Sequence, residues 1–332
     1  MLFRSGPVPV VVMGLGVIGQ EIARAAQLSP EVELVGAVDS SPQLVGRPLS
    51  DILGVAGVKS KVVGSLEAAV GRRQGVVLLH ATGSRLAQVM TQLLEALRLG
   101  MPVVSTCEEL AFPFLKYPEL AERLEEAALE AGVAVLGTGV NPGLVMDRLV
   151  ACAGQACGPV RHVSVTRVVD ARTRREALQR KVGAGLSEEA FFELVDRDQL
   201  GHVGLVESAA LCALGLGMDC DDFEEEIVPV FAEEDITGGA FPVKQGRVAG
   251  IFQSAVGLEE GQERVRLELT IAMGADSPGD RIEIEAEPKI VLEIRGGVSG
   301  DRAVAHTLVN AAPRVMAAEA GLLTVLELPA GR

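Results

Sequence analysis

An apolar run, Val8 to Met13, leads directly into Gly14-Leu15-Gly16-Val17-Ile18-Gly19, and a second apolar stretch, Val32 to Val38, ends on Asp39. The glycine pattern alone constrains little. Here it follows a strand that is apolar on both faces and opens a helix over Val17 to Leu28. A carboxylate answers it at the end of the next strand, and that combination restricts the first part of the chain to a βαβ unit of the dinucleotide-binding kind. Gly14 permits the tight turn, Gly16 lets backbone approach a pyrophosphate, and Gly19 lets the helix pack on the strand. The N–H groups at Val17 and Ile18 and the positive end of the helix dipole would face the phosphates. Asp39 would accept hydrogen bonds from the adenosine ribose. A carboxylate there repels a 2′-phosphate and so favours NAD over NADP, although Arg47 is close enough in sequence to soften the preference. The competing reading is a glycine-rich turn in a domain that binds something else.

The same rhythm continues downstream. Val76 to His80 is a strand, about Arg85 to Leu99 a helix stopped by Gly100, and Met101 to Ser105 a strand. Pro118 to Ala131 is a helix stopped by Gly132, and Val133 to Leu136 is a strand. Strand and helix in this alternation predict a parallel, doubly wound α/β Rossmann sheet. After about Asn141 the pattern changes. Val160 to Val169 is strand-like, Ser187 to Leu194 and His202 to Leu216 are helical, and Phe223 to Ile294 is mostly strand with apolar and polar residues alternating. That predicts a second, α+β domain on an open mixed sheet with one wet face. The expected organisation is a dinucleotide-binding domain over 1–142, a substrate and oligomerisation domain over 143–299, and a C-terminal helix within 300–332 packing back onto the first.

Composition excludes several classes. With 48% hydrophobic residues in 332 the chain can build two cores, and its formal net charge of −15 disfavours nucleic acid and anionic membranes as partners. No run of about 18 uninterrupted apolar residues is present. The N-terminal apolar stretch runs into a glycine loop rather than a cleavage site, so it reads as a buried strand behind a short leader. Five cysteines without a CxxC pair imply free thiols in a reducing, cytoplasmic setting, with no metal site.

Ligands of open α/β sheets bind at the carboxyl ends of the strands. Thr82-Gly83-Ser84 follows His80 there and reads as a loop near the nicotinamide or its ribose; a helix N-cap by Ser84 is the alternative. Ser105-Thr106-Cys107-Glu108-Glu109 reaches the same edge. Adjacent carboxylates point different ways, and one lining an apolar cleft can exchange protons near neutral pH; an ordinary acidic helix start is the alternative. In Gly137-Thr138-Gly139-Val140-Asn141-Pro142-Gly143, Asn141 could bind a carboxamide or a substrate, or the loop could serve only as a hinge. Val140, Leu144 and Met146 offer an apolar lining. Arg172, Arg174, Arg175 and Lys181 form a basic run that could hold a substrate carboxylate or form a solvated face. His202 is a candidate substrate contact or a capping residue.

Taken together, GLGVIG, STCEEL, GTGVNPGLVMD, the Arg172 segment with Lys181-Val182-Gly183, His202 to Ser208, and Gly300-Asp301 ahead of Val309-Asn310-Ala311 resemble the 2,4-diaminopentanoate dehydrogenases and native amine dehydrogenases, distant relatives of dihydrodipicolinate reductase. The resemblance implies an NAD(P)-linked interconversion of a primary amine or diamino acid with a ketone or aldehyde plus ammonia, and Glu108 as the catalytic carboxylate. Paired histidines followed by a lysine and a Ser-Gly-Thr loop are absent, which weakens a dihydrodipicolinate reductase-like reading. Another Rossmann reductase and a non-catalytic NAD-binding protein are the remaining alternatives. An exposed sheet face in the second domain predicts a homodimer.

Overall fold

The computed structural model describes residues 6–331 apart from Ala56. Most of the leader expected before the first strand, residues 1–5, lies outside the described residues. The chain divides into two compact units: the residues up to Leu144 together with those from Ser299 onward, and Val145–Val298.

In the first unit the chain runs β1 (Val8–Met13), α1 (Val17–Leu28), β2 (Val32–Val38), α2 (Leu49–Leu53), β3 (Val62–Val63), α3 (Leu66–Val70), β4 (Val77–His80), α4 (Leu86–Arg98), β5 (Val103–Ser105), a 3-10 turn over Glu108–Ala111, α5 (Pro118–Ala131) and β6 (Ala134–Gly137). Val10, Val11 and Val12 are wholly buried, as a strand covered on both faces requires. Each such side chain contributes about 1.5–3 kcal/mol of burial. The punctuation of α5 is legible: Pro118 occupies its first turn, and Gly132 ends it in the left-handed region.

The second unit contains α6 (Arg148–Gly154), β7 (His162–Asp170), α7 (Glu176–Lys181), α8 (Glu188–Asp196), α9 (Leu205–Leu216), β8 (Asp222–Phe231), β9 (Val248–Glu259), β10 (Gln262–Ala272), β11 (Gly279–Glu285) and β12 (Ile290–Arg295). The helix read from His202 starts only at Leu205, because Gly204 at its N-cap has φ +101°. The strands form one sheet in the order β12-β11-β7-β10-β9-β8, in which only β7 and β10 pair in parallel. Alternate positions split its faces. Val163, Val165, Ile251, Leu267, Leu269, Ile282 and Ile284 are buried, and α9 packs against β8, β9 and β10. The intervening positions carry Ser164, Thr166, Arg266, Glu268, Arg281 and Glu283, with Phe252 and Val256 toward the β8 end; all are half-buried or exposed. A buried ion pair locks one end of the sheet. Arg167 Nη1 lies 2.5 Å from Asp280 Oδ1, Arg167 Nη2 donates to the Val298 carbonyl at 2.7 Å, and Val298 N donates to Asp280 Oδ2 at 2.7 Å.

The chain then returns to the first unit as α10 (Gly300–Ala317) and β13 (Gly321–Leu323). The C-terminal segment is therefore a helix followed by an edge strand. Leu322 N bonds to the Glu125 carboxylate, and β13 pairs in parallel with β6. The finished sheet has seven parallel strands ordered β13-β6-β5-β4-β1-β2-β3. Helices α3, α4 and α5 cover one face through Leu66, Leu86, Leu93 and Leu124, while α1 and α10 pack together on the other. The chain is thus an α/β protein with a parallel Rossmann sheet and a second, mixed sheet. Among the described residues no helix is long and apolar enough to cross a membrane.

Candidate active site

Because β2 and β4 flank β1, the strand order reverses at β1, and the loops after β1, β4, β5 and β6 reach the same carboxyl edge. The three glycines of the first loop have different reasons to be there. Gly14 has φ +88°, and a Cβ on it would lie 2.5 Å from the Ala81 carbonyl oxygen. A Cβ on Gly19 would lie 1.6 Å from the Gly14 carbonyl oxygen. Gly16 has φ −64° and ψ −172°, conformations open to any residue, and a Cβ there would meet no protein atom within 4 Å. Packing thus explains Gly14 and Gly19 but not Gly16, beside which the surface is open. Helix α1 begins at that point with no side-chain cap and no acidic residue in its first turn, so its positive end is not neutralised from within the helix. Val17 is 52% exposed. Asp39 lies across the loop: Oδ2 accepts from Leu15 N and Oδ1 from Ser41 N, both at 2.7 Å. Each carboxylate oxygen keeps a further lone pair.

The adjacent carboxylates after β5 separate. Glu109 is wholly buried; Oε2 accepts from Leu86 N at 2.7 Å, and Oε1 accepts from Arg85 Nη1 at 2.9 Å and the Tyr117 hydroxyl at 3.2 Å. It therefore caps α4 from the next loop. The alternative reading of a cap by Ser84 is not realised: the helix starts at Leu86 behind Arg85, and the Ser84 carbonyl instead accepts from Glu109 N and the Cys107 thiol. Glu108, one residue earlier, is half-buried at the start of the turn. That turn sits directly on the end of β6, where a Cβ on Gly137 would lie 2.5 Å from the backbone of Leu110 and Ala111. Burial pushes the Cys107 thiol up to about 12, which keeps it protonated.

Thr82 turns its hydroxyl inward, 2.7 Å from His80 Nε2 and 2.5 Å from Gln92 Oε1, so its hydroxyl is committed to the protein. Gly83 follows it at the same edge. On the loop after β6, Val140 is buried, Asn141 and Leu144 are half-buried, and Met146, just inside the second unit, is fully buried.

Arg172 and His202 belong to the second unit. Asp170 holds Arg172 at Nε and Nη2, at 2.9 and 2.8 Å. The surrounding turn is organised by the buried Gln179, whose amide donates to the carbonyls of Ala171 and Arg174 and accepts from Ala240 N. At His202 the wholly buried Gln253 clamps the backbone from both sides, accepting from His202 N and donating to its carbonyl, each at 2.8 Å. Reading the sequence missed His80, Gln179, Gln253 and the capping role of Glu109. Two left a trace: His80 ends a strand that is otherwise apolar, and Gln253 shares the inward register of Ile251 and Ala255.

Residues 144–332, more than half of the chain, match the model of the 2,4-diaminopentanoate dehydrogenase C-terminal domain family. The chain belongs to this family. It is 29% identical over 332 residues to 2,4-diaminopentanoate dehydrogenase of Acetoanaerobium sticklandii, an alignment covering 98% of this chain and 94% of that protein. The amine dehydrogenase from Mycobacterium smegmatis shares the fold, with a TM-score of 0.85 at 23% identity over 98% of this chain and 97% of that one. A gentamicin A biosynthesis protein solved in complex with NAD shares it more distantly, with a TM-score of 0.52 at 17% identity over 89% and 75% of the two chains.

The first unit of this family member fits a nicotinamide dinucleotide. The open space at Gly16 and the uncapped α1 N-terminus suit a pyrophosphate, and Asp39 stands at the end of β2 where the ribose hydroxyls are read.

Proposed function

We propose that this chain is an NAD(P)-dependent dehydrogenase that interconverts a primary amine with the corresponding ketone or aldehyde plus ammonia, with Glu108 as its proton carrier. The observation that carries this reading is the division of labour in the carboxylate pair. Glu109 is sealed inside the protein as a helix cap, while Glu108 stands half-buried at the carboxyl edge, in the loop row that holds Gly16 and Asp39. Gly14, Gly16, Val17, Ile18, Gly19, Asp39, Gly83 and Asn141 would hold the dinucleotide, with Thr82 contributing backbone rather than its hydroxyl. When bound, the nicotinamide supplies the two-electron hydride acceptor.

The substrate's chemistry explains why a carboxylate is needed. An alkylammonium ion has no lone pair to expel a hydride from the adjacent carbon. Glu108 attracts the cation and removes one proton from its nitrogen. The free amine can then lose hydride and become an iminium ion, and Glu108, once it has passed its proton to solvent, faces that cation as a carboxylate. Glu108 next assists water attack on the iminium carbon and returns a proton to nitrogen, so that ammonia leaves. The reverse sequence is reductive amination.

Val140, Asn141, Leu144, Arg172 and His202 are the proposed substrate contacts. One observation favours a second reading within this class. Asp170 already neutralises Arg172, so the carboxylate of a diamino acid gains less there, and simple amines belong on the substrate panel beside 2,4-diaminopentanoate. Asp39 favours NAD over NADP, and the uncovered face of the second unit's sheet supports a homodimer, measurable by sedimentation.

The test pairs NAD+ with 2,4-diaminopentanoate and short alkyl amines, and NADH or NADPH with ammonia and ketones or aldehydes. Glu108→Gln is expected to reduce turnover by about 10²–10⁴-fold with little change in NADH affinity. Wild-type turnover in that variant refutes the role of Glu108. A reductive reaction independent of ammonia refutes the amine class.

A further inference from the structure

His80 ends β4 opposite Ser105 on β5, and its ring is completely buried, yet the chemistry outlined above does not use it. Its two nitrogens reach two different loops. Nδ1 is 2.8 Å from Ser105 Oγ, and Ser105 Oγ accepts from Cys107 N at 3.0 Å. Nε2 is 2.7 Å from Thr82 Oγ1 and 2.8 Å from Gln92 Oε1, and Thr82 Oγ1 is 2.5 Å from the same Gln92 oxygen. Cys107 immediately precedes Glu108, and Thr82 opens the loop after β4. A single buried ring thus joins the segment carrying the proposed proton carrier to a segment proposed to hold the nicotinamide end of the cofactor.

The network assigns its own polarity. An amide oxygen accepts and does not donate, so with Gln92 Oε1 facing both partners, Nε2 and Thr82 must carry the protons. Nδ1 is then an acceptor and receives a hydrogen bond from the Ser105 hydroxyl, while Ser105 uses a lone pair for Cys107 N–H. With the single Nε2 proton shared between Gln92 Oε1 and Thr82 Oγ1, a neutral ring in one tautomer meets every contact, and none requires an imidazolium. Burial lowers the His80 pKa to about 4, which keeps the ring in that state at neutral pH.

Resting on the dehydrogenase reading above, we propose that His80 is a positioning residue that fixes Glu108 relative to the Thr82 loop through Ser105 on one side and Gln92 on the other. It touches neither substrate nor cofactor. The chain of contacts transmits geometry, so a change at either end should be felt at the other.

Ser105 and Gln92 supply the test, because each meets His80 from a different side. Ser105→Ala and Gln92→Leu are each expected to lower kcat about tenfold while changing the KM for the dinucleotide less than about threefold, the signature of a displaced catalytic group. The double variant should lose no more than the worse single, because both act through the same ring; independent effects would multiply to about a hundredfold. Multiplying losses, or unchanged kcat with only a lower Tm, overturns the proposal. His80→Phe should behave like the double variant, and if it fails to fold, the flanking pair still decides.

Two readouts do not need turnover. Imidazole nitrogen NMR of the resting protein should show a neutral ring protonated at Nε2. Hydrogen exchange of the Cys107 amide should accelerate in Gln92→Leu, two contacts away. An Nδ1-protonated or charged ring at pH 7, or unaltered Cys107 exchange, overturns the proposal even where wild-type protein turns over no amine, an outcome that by itself refutes only the dehydrogenase reading.

Discussion

Substituting alanine at Gly16 and at Gly19 should separate binding from folding within one loop. At Gly16 the backbone already lies at φ −64° and ψ −172°, and the new methyl meets no protein atom within 4 Å. Replacing glycine in a compatible conformation gains about 0.4–1 kcal/mol from the unfolded state. The loss of a favourable helix N-cap residue offsets roughly that amount. Net stability should therefore stay within about 1 kcal/mol, or about 4 °C in Tm for a unit of this size. The same methyl projects into the space assigned to the pyrophosphate. Losing one charge-assisted N–H contact costs about 1.5–3 kcal/mol, and each 1.4 kcal/mol is tenfold, so NADH should bind about 10–100-fold more weakly. At Gly19 the methyl would stand 1.6 Å from the Gly14 carbonyl oxygen, so α1 must move off the sheet or the loop must open. Overpacking of this kind costs about 3 kcal/mol or more, a fall of roughly 6–12 °C or failure to fold. The assays are thermal unfolding by circular dichroism and NADH titration by fluorescence. A Gly16→Ala protein that binds NADH like wild type refutes the cradle. So does one that unfolds as readily as Gly19→Ala, because Gly16 would then be structural.

Glu109→Ala removes the α4 cap and the acceptor for Arg85 and Tyr117, and should cost about 2–4 kcal/mol in urea unfolding; Glu108→Gln should cost less than about 1 kcal/mol. His80 is neutral in the fold down to a pKa of about 4 against 6.5 unfolded. Protonation therefore favours the unfolded chain: the stabilisation is complete above about pH 6.5 and is lost as pH falls to about 4. The loss is roughly 3 kcal/mol, and His80→Asn should abolish that part of the acid slope, as denaturant curves at pH 7.5 and 4.5 would reveal. Asp280→Ala strands the Arg167 guanidinium inside the second sheet and should cost about 3–5 kcal/mol, and adding Arg167→Met should recover much of that, since two apolar residues leave no buried charge; denaturant midpoints of the three variants measure both effects.

Much of the fold was legible in the sequence because long parallel strands announce themselves as continuous apolar runs and their helices as punctuated amphipathic stretches. Pro118 and Gly132 mark α5 correctly for this reason. The three residues of β13 carry no such signal, since an edge strand this short is defined by the Ala134–Leu136 backbone it meets and by the Glu125 carboxylate that receives it. Short elements such as β3 and α3 escaped for the same reason.

The sequence by itself determined that a glycine loop, a helix N-terminus and Asp39 would converge, because all three lie within one βαβ unit whose geometry is local. It also brought two neighbouring carboxylates to the same edge, and the family resemblance pointed to the first of them. Only the tertiary structure showed what the second one does. Glu109 is a cap because Leu86 N, 23 residues earlier, comes within 2.7 Å of it. Likewise Thr82 turned inward to a glutamine on α4, and Gln253 closed on a backbone 51 residues away. Carboxylates, hydroxyls and amides serve as caps, clamps or catalysts according to which donors surround them, and those donors arrive from distant sequence only when the sheets assemble.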